Sequence, residues 1–505
     1  MRRHRSHWPA IAIALAAATA ALVAAAIVPL ATAGAAGSGH PVAARVVTIG
    51  RPEPIRPIGS GFLGLSFEYS AIEPYAGTDP RGVNPVLLQL MRNLTPGQAP
   101  VIRIGGESTD WAWWPAPHIR KPAGVNLTLT ARLLRMTRAL TEALGARLIL
   151  GIDLEADSAM VARAEARALI AGIGRRQIDA LELGNEPEDY GIFTWDGSGV
   201  KGRPSDYDFP SFVRDFSRLG RTLPLPLAGP AMGAPKWYRD LPDLLAAEPR
   251  LRLVTLHRYP VQQCYVKPGM PNYPTIPHIL WSRASRGLAD SVAAEVASAH
   301  ARGLRLRIDE MNTVSCGNEP QVGFSFASAL WALDALFAMA SVGADGVNIH
   351  TYPTSTSALF SFTRRNTVWR AFVEPEYYGL LMFAQAAPPG SRLLRISGAG
   401  AVKTWATRGR DGHIRVVLLN DSATDPETIE VHAPGVRAPA GPGTLERLQA
   451  PSEAARSGVT LGGKSFGAGT ETGRVSPQAV AIFPNRGHFV VVVPAASAAL
   501  LTLPR

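Results

Sequence analysis

Apolar residues fall along this chain in short runs that stop at polar side chains, separated by longer helical patterns. The runs read GFLGLSFEYS (61–70), PVIRIGGESTD (100–110), RLILGIDLEAD (147–157), IDALELGNEPE (178–188), LPLAGPAMG (225–233), RLVTLHRYP (252–260), LRLRIDEMN (304–312) and GVNIHTYP (346–353). Between them, LTARLLRMTRALTEALG (129–145), SAMVARAEARALIAGIG (158–174), SVAAEVASAHARG (291–303) and FASALWALDALFAMASVG (326–343) place apolar residues three and four apart and close on glycine. Eight alternations of strand and helix over residues 61–388 predict an α/β fold, a (β/α)8 TIM barrel. An open doubly wound sheet fits less well, because no GxGxxG or GxxxxGK[ST] loop follows a strand.

From 389 to 505 the texture changes to short alternating runs such as AVKTWATRG, HIRVVLLND, ETIEVHAP, GHFVVVVP and ASAALLTL, broken by Gly, Pro, Asp and Asn. That pattern predicts a C-terminal antiparallel β-sandwich domain. The stretch ARVVTIG (44–50) lacks a helix of its own and is expected to complete the sandwich as an N-terminal strand. RPEPIRPIGS (51–60) then serves as the crossing linker, so that residues 37–60 belong with the sandwich.

Residues 1–36 read differently again. Arg2, Arg3 and Arg5 precede an Ala-rich apolar stretch from Ile11 to Leu30, followed by small residues. This is the order of a secretory signal peptide with cleavage between Ala33 and Ala36, and it implies a secreted protein. Left uncleaved, the same segment would be a membrane anchor.

Composition narrows the chemistry. The 51 basic residues, six of them lysine, outnumber 40 acidic ones, but they form no dense run. A nucleic-acid surface is therefore not expected, whereas an anionic small substrate is tolerated. Two cysteines exclude a disulfide scaffold, zinc ribbons and iron–sulfur ligation. No HExxH or comparable spacing supports a metal site, and no cofactor is expected.

In a TIM barrel the reactive groups stand where the strands end. The fourth run ends with Asn185 and Glu186, the seventh with Glu310. Two carboxyl groups at one mouth can flank a glycosidic bond, one protonating the leaving oxygen while the other attacks or activates water. Asp309 adjoins Glu310 but is expected on the opposite face of its strand, towards the helices. Glu68, Glu107, Asp110, Trp111 and Tyr352 end other strands and are candidates for holding sugar hydroxyls or stacking on a pyranose face. Asp153, Glu155, His257 and His350 are further candidates for the pocket wall.

RIGGESTDW, LELGNEPEDY, LHRYP, RIDEMNTVSCG and DGVNIHTYP, in that order, resemble glycoside hydrolase family 79, which holds β-glucuronidases and heparanases in the retaining clan A. The resemblance spans nearly the whole chain after the signal segment. It implies Glu186 as general acid/base, Glu310 as nucleophile, Asn185 on the sugar 2-hydroxyl and Tyr259 on the nucleophile. Arg103 on the second strand would hold Glu310 charged or form an ion pair within the barrel. In that family a tyrosine and a glycine-containing turn, five to seven residues after the nucleophile, bind the uronate carboxylate. Here those positions are Ser315, Cys316 and Gly317, which leaves backbone amides but no tyrosine hydroxyl.

Cys264 follows the sixth strand and Cys316 the seventh, so both rise from neighbouring strands at one mouth. A disulfide is expected, with a catalytic cysteine as the rival. The leading expectation is a secreted, monomeric, retaining glycosidase of β-linked uronic acids, most simply a β-glucuronidase, acting on a carbohydrate partner. The alternatives are an endo-acting heparanase-like enzyme, a retaining glycosidase for another sugar, and a non-catalytic carbohydrate-binding protein.

Overall fold

The computed structural model describes residues 44–504 except 196–197, 318, 399, 401 and 435–440. The expected signal segment lies outside the described residues. Among those residues no helix is long and apolar enough to cross a membrane.

Eight parallel strands close into a barrel: Leu63–Glu68, Val101–Gly105, Arg147–Ile152, Ile178–Leu183, Leu227–Met232, Leu251–Arg258, Arg305–Met311 and Gly346–His350. They are called strands one to eight below. Each corresponds to one of the eight apolar runs, and strand eight pairs with strand one to complete the ring. The surrounding helices are set by their sequence signals. In Ala131–Leu144, Thr130 accepts the Leu133 N–H as N-cap, Gly145 ends the helix in the left-handed region, and Leu133, Leu134, Met136, Leu140 and Thr141 form its buried stripe.

Helix Phe326–Ser341 is apolar all round because it is covered on both sides, by the barrel and by the C-terminal sheet. Its Phe337 stacks on Trp405 of that sheet, with ring centroids 5.7 Å apart. Its one charge, Asp334, accepts from Trp405 Nε1 at 2.8 Å and pairs with Lys403 at 3.1 Å. The same packing explains why Ile414–Asn420 reads as unbroken apolar sequence. Val416 and Leu418 face the sheet domain's own core, whereas Val417 and Leu419 join the core shared with the barrel.

Among the described residues the C-terminal strands and the N-terminal strand form one ten-stranded, mostly antiparallel sheet, nine strands in one path and Val480–Ile482 branching from it. The N-terminal strand Arg45–Pro52 enters it antiparallel to Arg392–Ser397 and parallel to Glu427–His432, adding a parallel pairing to the expected antiparallel set. A hairpin, Phe360–Arg365 with Val368–Val373, interrupts the segment after strand eight and was not foreseen from the pattern.

Candidate active site

At the C-terminal ends of the strands, buried Arg103 gathers the site around its guanidinium. Nη1 donates to Glu310 Oε2 at 2.5 Å, Nη2 to Asn185 Oδ1 at 2.8 Å and Nε to Glu182 Oε2 at 2.7 Å. Tyr259 donates its hydroxyl to the other Glu310 oxygen at 2.8 Å. Burial alone would raise the Glu310 pKa, but His350, His257, Arg103 and the Tyr259 bond outweigh it and hold the carboxyl well below the usual carboxylate range.

Glu186 stands opposite, with one of its oxygens within 4.8 Å of one from Glu310. Its backbone is left-handed at φ 46° and ψ 55°, with its N–H donated to Ala231 O at 2.8 Å. For a residue with a Cβ this conformation costs about 1 kcal/mol, a strain that active sites often hold. Buried His257 reaches Glu186 Oε1 through Nδ1 at 3.0 Å, while its Nε2 faces Arg103 Nη2 at 3.4 Å. Burial would lower the His257 pKa, but Glu310 and the hydrogen bond to Glu186 outweigh it and hold it above the ordinary imidazole value, so that the ring presents a proton on Nδ1 to Glu186. Gly233 makes room for this carboxyl, since a Cβ there would stand 2.7 Å from Glu186 Oε1.

Strand seven corrects one expectation. Pairing with strand six slips between Ile308 and Glu310, and pairing with strand eight between Ile308 and Met311, so Asp309 is the extra residue of a β-bulge. Alternation fails there, and Asp309 turns inward beside Glu182, with Oδ2 at 3.6 Å from Arg103 Nε. Burial and then Glu182 push its pKa well up, whereas Glu182, despite burial, is held below its ordinary value by Arg103 and by the Asp309 hydrogen bond. The protonated form of Asp309 is therefore favoured, and its O–H donates a hydrogen bond to the Glu182 carboxylate.

The other candidates divide. Glu68 accepts Ser108 N–H at 2.8 Å and Glu107 N–H at 3.2 Å, and lies 3.4 Å from His350 Nε2. Glu107 projects into the concave mouth, where desolvation and the charges of Glu186, Glu68, Glu310 and Asp110 raise its pKa. Tyr352 lies against His350, with ring centroids 5.2 Å apart. Asp110 does not reach the mouth: Oδ1 accepts Leu154 and Glu155 N–H, and Oδ2 accepts Asn185 N–H and the Tyr190 hydroxyl. It is a strut joining the loops after strands two, three and four. Trp111 is half-buried against the Trp113, Val125, Val161 and Trp195 cluster. Asp153 and Glu155 also turn away from the mouth, Asp153 capping Ala156 N–H at 2.9 Å.

Cys264 and Cys316 are joined in a disulfide. Beside it Val261–Gln262 pairs with Val314–Ser315, tying together the loops after strands six and seven. Cys316 and Gly317 both have positive φ, 30° and 116°, and a Cβ at Gly317 would meet Gln263 Oε1 at 2.1 Å. Sequence reasoning missed Glu182, Asp309 and Ser66 as partners of Arg103. Their signal was position alone, since each lies one or two residues before the end of a barrel strand.

Among the described residues two groups have ligand atoms close enough to share a cation: Glu186, His257 and Glu310, and Glu430, His432 and His488 on the C-terminal sheet. In the first, Arg103 and Tyr259 already occupy the Glu310 oxygens.

Residues 404–500 match the family model described as the glycosyl hydrolase family 79 C-terminal beta domain. No curated protein sequence matches the chain. Among solved structures, a 4-O-α-L-rhamnosyl-β-D-glucuronidase from Fusarium oxysporum 12S superposes with TM-score 0.71 at 18% identity, covering 91% of this chain and all (100%) of that one. A GH51 arabinofuranosidase from Xanthomonas axonopodis pv. citri superposes with TM-score 0.63 at 15% identity, with 91% and 100% covered. The GH51 α-L-arabinofuranosidase from Thermotoga petrophila RKU-1 gives TM-score 0.62 at 14% identity, with the same coverage of 91% and 100%. Residues 404–500 thus carry a C-terminal β domain similar to that of glycosyl hydrolase family 79, and the chain is a glycoside hydrolase.

Proposed function

We propose that this glycoside hydrolase is exported and removes β-linked uronic acid, most simply glucuronic acid, with retention of configuration. Glu310 is the nucleophile and Glu186 the acid/base. The observation that carries the reading is the pairing of two carboxyl groups, with oxygens within 4.8 Å, only one of which is fixed as an anion by Arg103 and Tyr259. Retaining enzymes keep their carboxyl groups about 5–5.5 Å apart, leaving no room for a water between the sugar and the nucleophile.

In the first step Glu310 attacks the anomeric carbon while Glu186 gives its proton to the leaving oxygen, forming a glycosyl ester. In the second, Glu186 takes a proton from water, whose oxygen displaces Glu310. Asn185 Oδ1 is taken by Arg103, and no described residue accepts from its Nδ2, which suits donation to the sugar 2-hydroxyl. Glu68 and Glu107 bind further hydroxyls. The Fusarium neighbour is a 4-O-α-L-rhamnosyl-β-D-glucuronidase, and the amides of Cys316 and Gly317 remain as a cradle for the uronate carboxylate.

A chromogenic panel of β-glucuronide, β-glucoside and α-L-arabinofuranoside tests this, run on wild type, Glu310→Ala and Glu186→Ala. Glucuronide hydrolysis lost in Glu310→Ala and restored by azide as a glycosyl azide is expected. Undiminished turnover in Glu310→Ala would remove the nucleophile assignment, whereas wild-type activity on the arabinofuranoside alone would remove only the sugar.

A further inference from the structure

Large apolar side chains left in water are sparse on this surface, but five of them concentrate in two loops. Ile192, Phe193 and Val200 follow strand four, and Tyr265 and Met270 follow strand six. The Phe193 and Tyr265 rings, 46% and 58% exposed, lie 6.1 Å apart at 44° to each other. Both loops run from the Glu186 side of the mouth. Glu186 opens the first, and His257, its hydrogen-bond partner, lies one residue before the end of the strand that leads into the second. Phe193 is held by its N–H on Asp189 O at 3.0 Å, and Tyr265 directly follows the disulfide-bonded Cys264. The Tyr265 hydroxyl, raised to about 12 by desolvation and by Asp189, Glu186 and Glu188, sits within the field of the carboxyl that would protonate the leaving oxygen.

We propose that Phe193 and Tyr265 form a platform for the leaving group, selecting substrates whose aglycone presents a ring with a flat apolar face. The inference rests on Glu186 as acid/base: the leaving oxygen must meet Glu186, so the aglycone lies on that side and the cleaved sugar lies on Glu310. Such a ring removes water from exposed aromatic surface and stacks on it. It can come from an aryl group or from a further sugar residue.

The test compares kcat/KM for the methyl, p-nitrophenyl and disaccharide β-glucuronides in wild type, Phe193→Ala/Tyr265→Ala, Tyr265→Phe and Trp281→Ala, an exposed aromatic elsewhere. The double variant should lose about tenfold on a ring aglycone relative to the methyl glycoside. Tyr265→Phe, which keeps the ring, and Trp281→Ala should keep the wild-type ratio. The larger loss, aryl or disaccharide, names the source of the ring. A wild-type ratio in the double variant overturns the platform. Binding is read separately by calorimetry with p-nitrophenyl β-glucuronide on Glu310→Ala. Weaker binding when Phe193 and Tyr265 are also removed supports the platform even if the wild type turns over no panel member, a result that counts against the proposed sugar or mechanism alone. Unchanged or undetectable binding in Glu310→Ala counts against the platform.

Discussion

Asp309 and Glu310 are consecutive in strand seven, yet both side chains reach Arg103, at 3.6 Å from Nε and 2.5 Å from Nη1. The bulge that turns Asp309 inward also gives Glu182 its proton donor, so that one guanidinium faces two carboxylates and one neutral acid rather than three anions. Asp309→Asn keeps a donor for Glu182 and an oxygen for Arg103, and should unfold within about 1 kcal/mol of wild type. Asp309→Ala strands a buried Glu182 oxygen and should cost about 2–4 kcal/mol in urea unfolding. Equal losses in the two variants would contradict the shared proton.

Tyr259 donates to Glu310 and is one cause of its depressed pKa. Tyr259→Phe removes a bond that favours the carboxylate, so the Glu310 pKa rises. The acid limb of kcat/KM should then move to higher pH, and the rate at neutral pH should fall about tenfold or more. A pH profile with an unmoved acid limb would show that Tyr259 only fills space.

The mouth was legible because barrel strands end in chemistry: Glu68, Arg103, Asn185, His257, Glu310 and His350 all stand within two residues of a strand's end. What was not legible lies where one residue breaks the rule. Strand seven is buried from Leu306 through Met311, so its sequence carries no alternation from which the slip at Asp309 could be read. Asp110 carries the right residue type at the right edge, but the turn Ser108–Trp111 rolls its carboxyl into the loop junction, where four donors take it. The cysteines were legible because barrel neighbours follow from strand order.

Glu188, beside the proposed acid/base Glu186, is pushed up to about 8 by burial and by Glu186, while its Oε1 accepts Gly233 N–H at 2.5 Å and its Oε2 finds no hydrogen-bond partner among the described residues. The folded protein therefore holds a proton that the unfolded chain releases at ordinary carboxyl pH. This contribution to stability is full below the unfolded pKa and declines as pH rises towards about 8. Thermal midpoints should fall as pH rises from about 5 to about 8, and Glu188→Gln, neutral throughout, should fall less over that range. An identical slope in the variant would place the titration elsewhere.

The disulfide closes a 52-residue separation, worth about 4 kcal/mol in the chain-entropy model. Its nearer effect is on the loop from Val314 to Gly317, which starts four residues beyond Glu310 and is paired to Val261–Gln262. Glu310 itself is positioned by strand seven, Arg103 and Tyr259, none of which the disulfide touches. Cys264→Ser/Cys316→Ser, or wild type in dithiothreitol, should thus melt at lower temperature and raise KM for a glucuronide severalfold while kcat changes less. A fall in kcat with KM unchanged would mean that the clamp sets the nucleophile rather than the wall that holds the sugar.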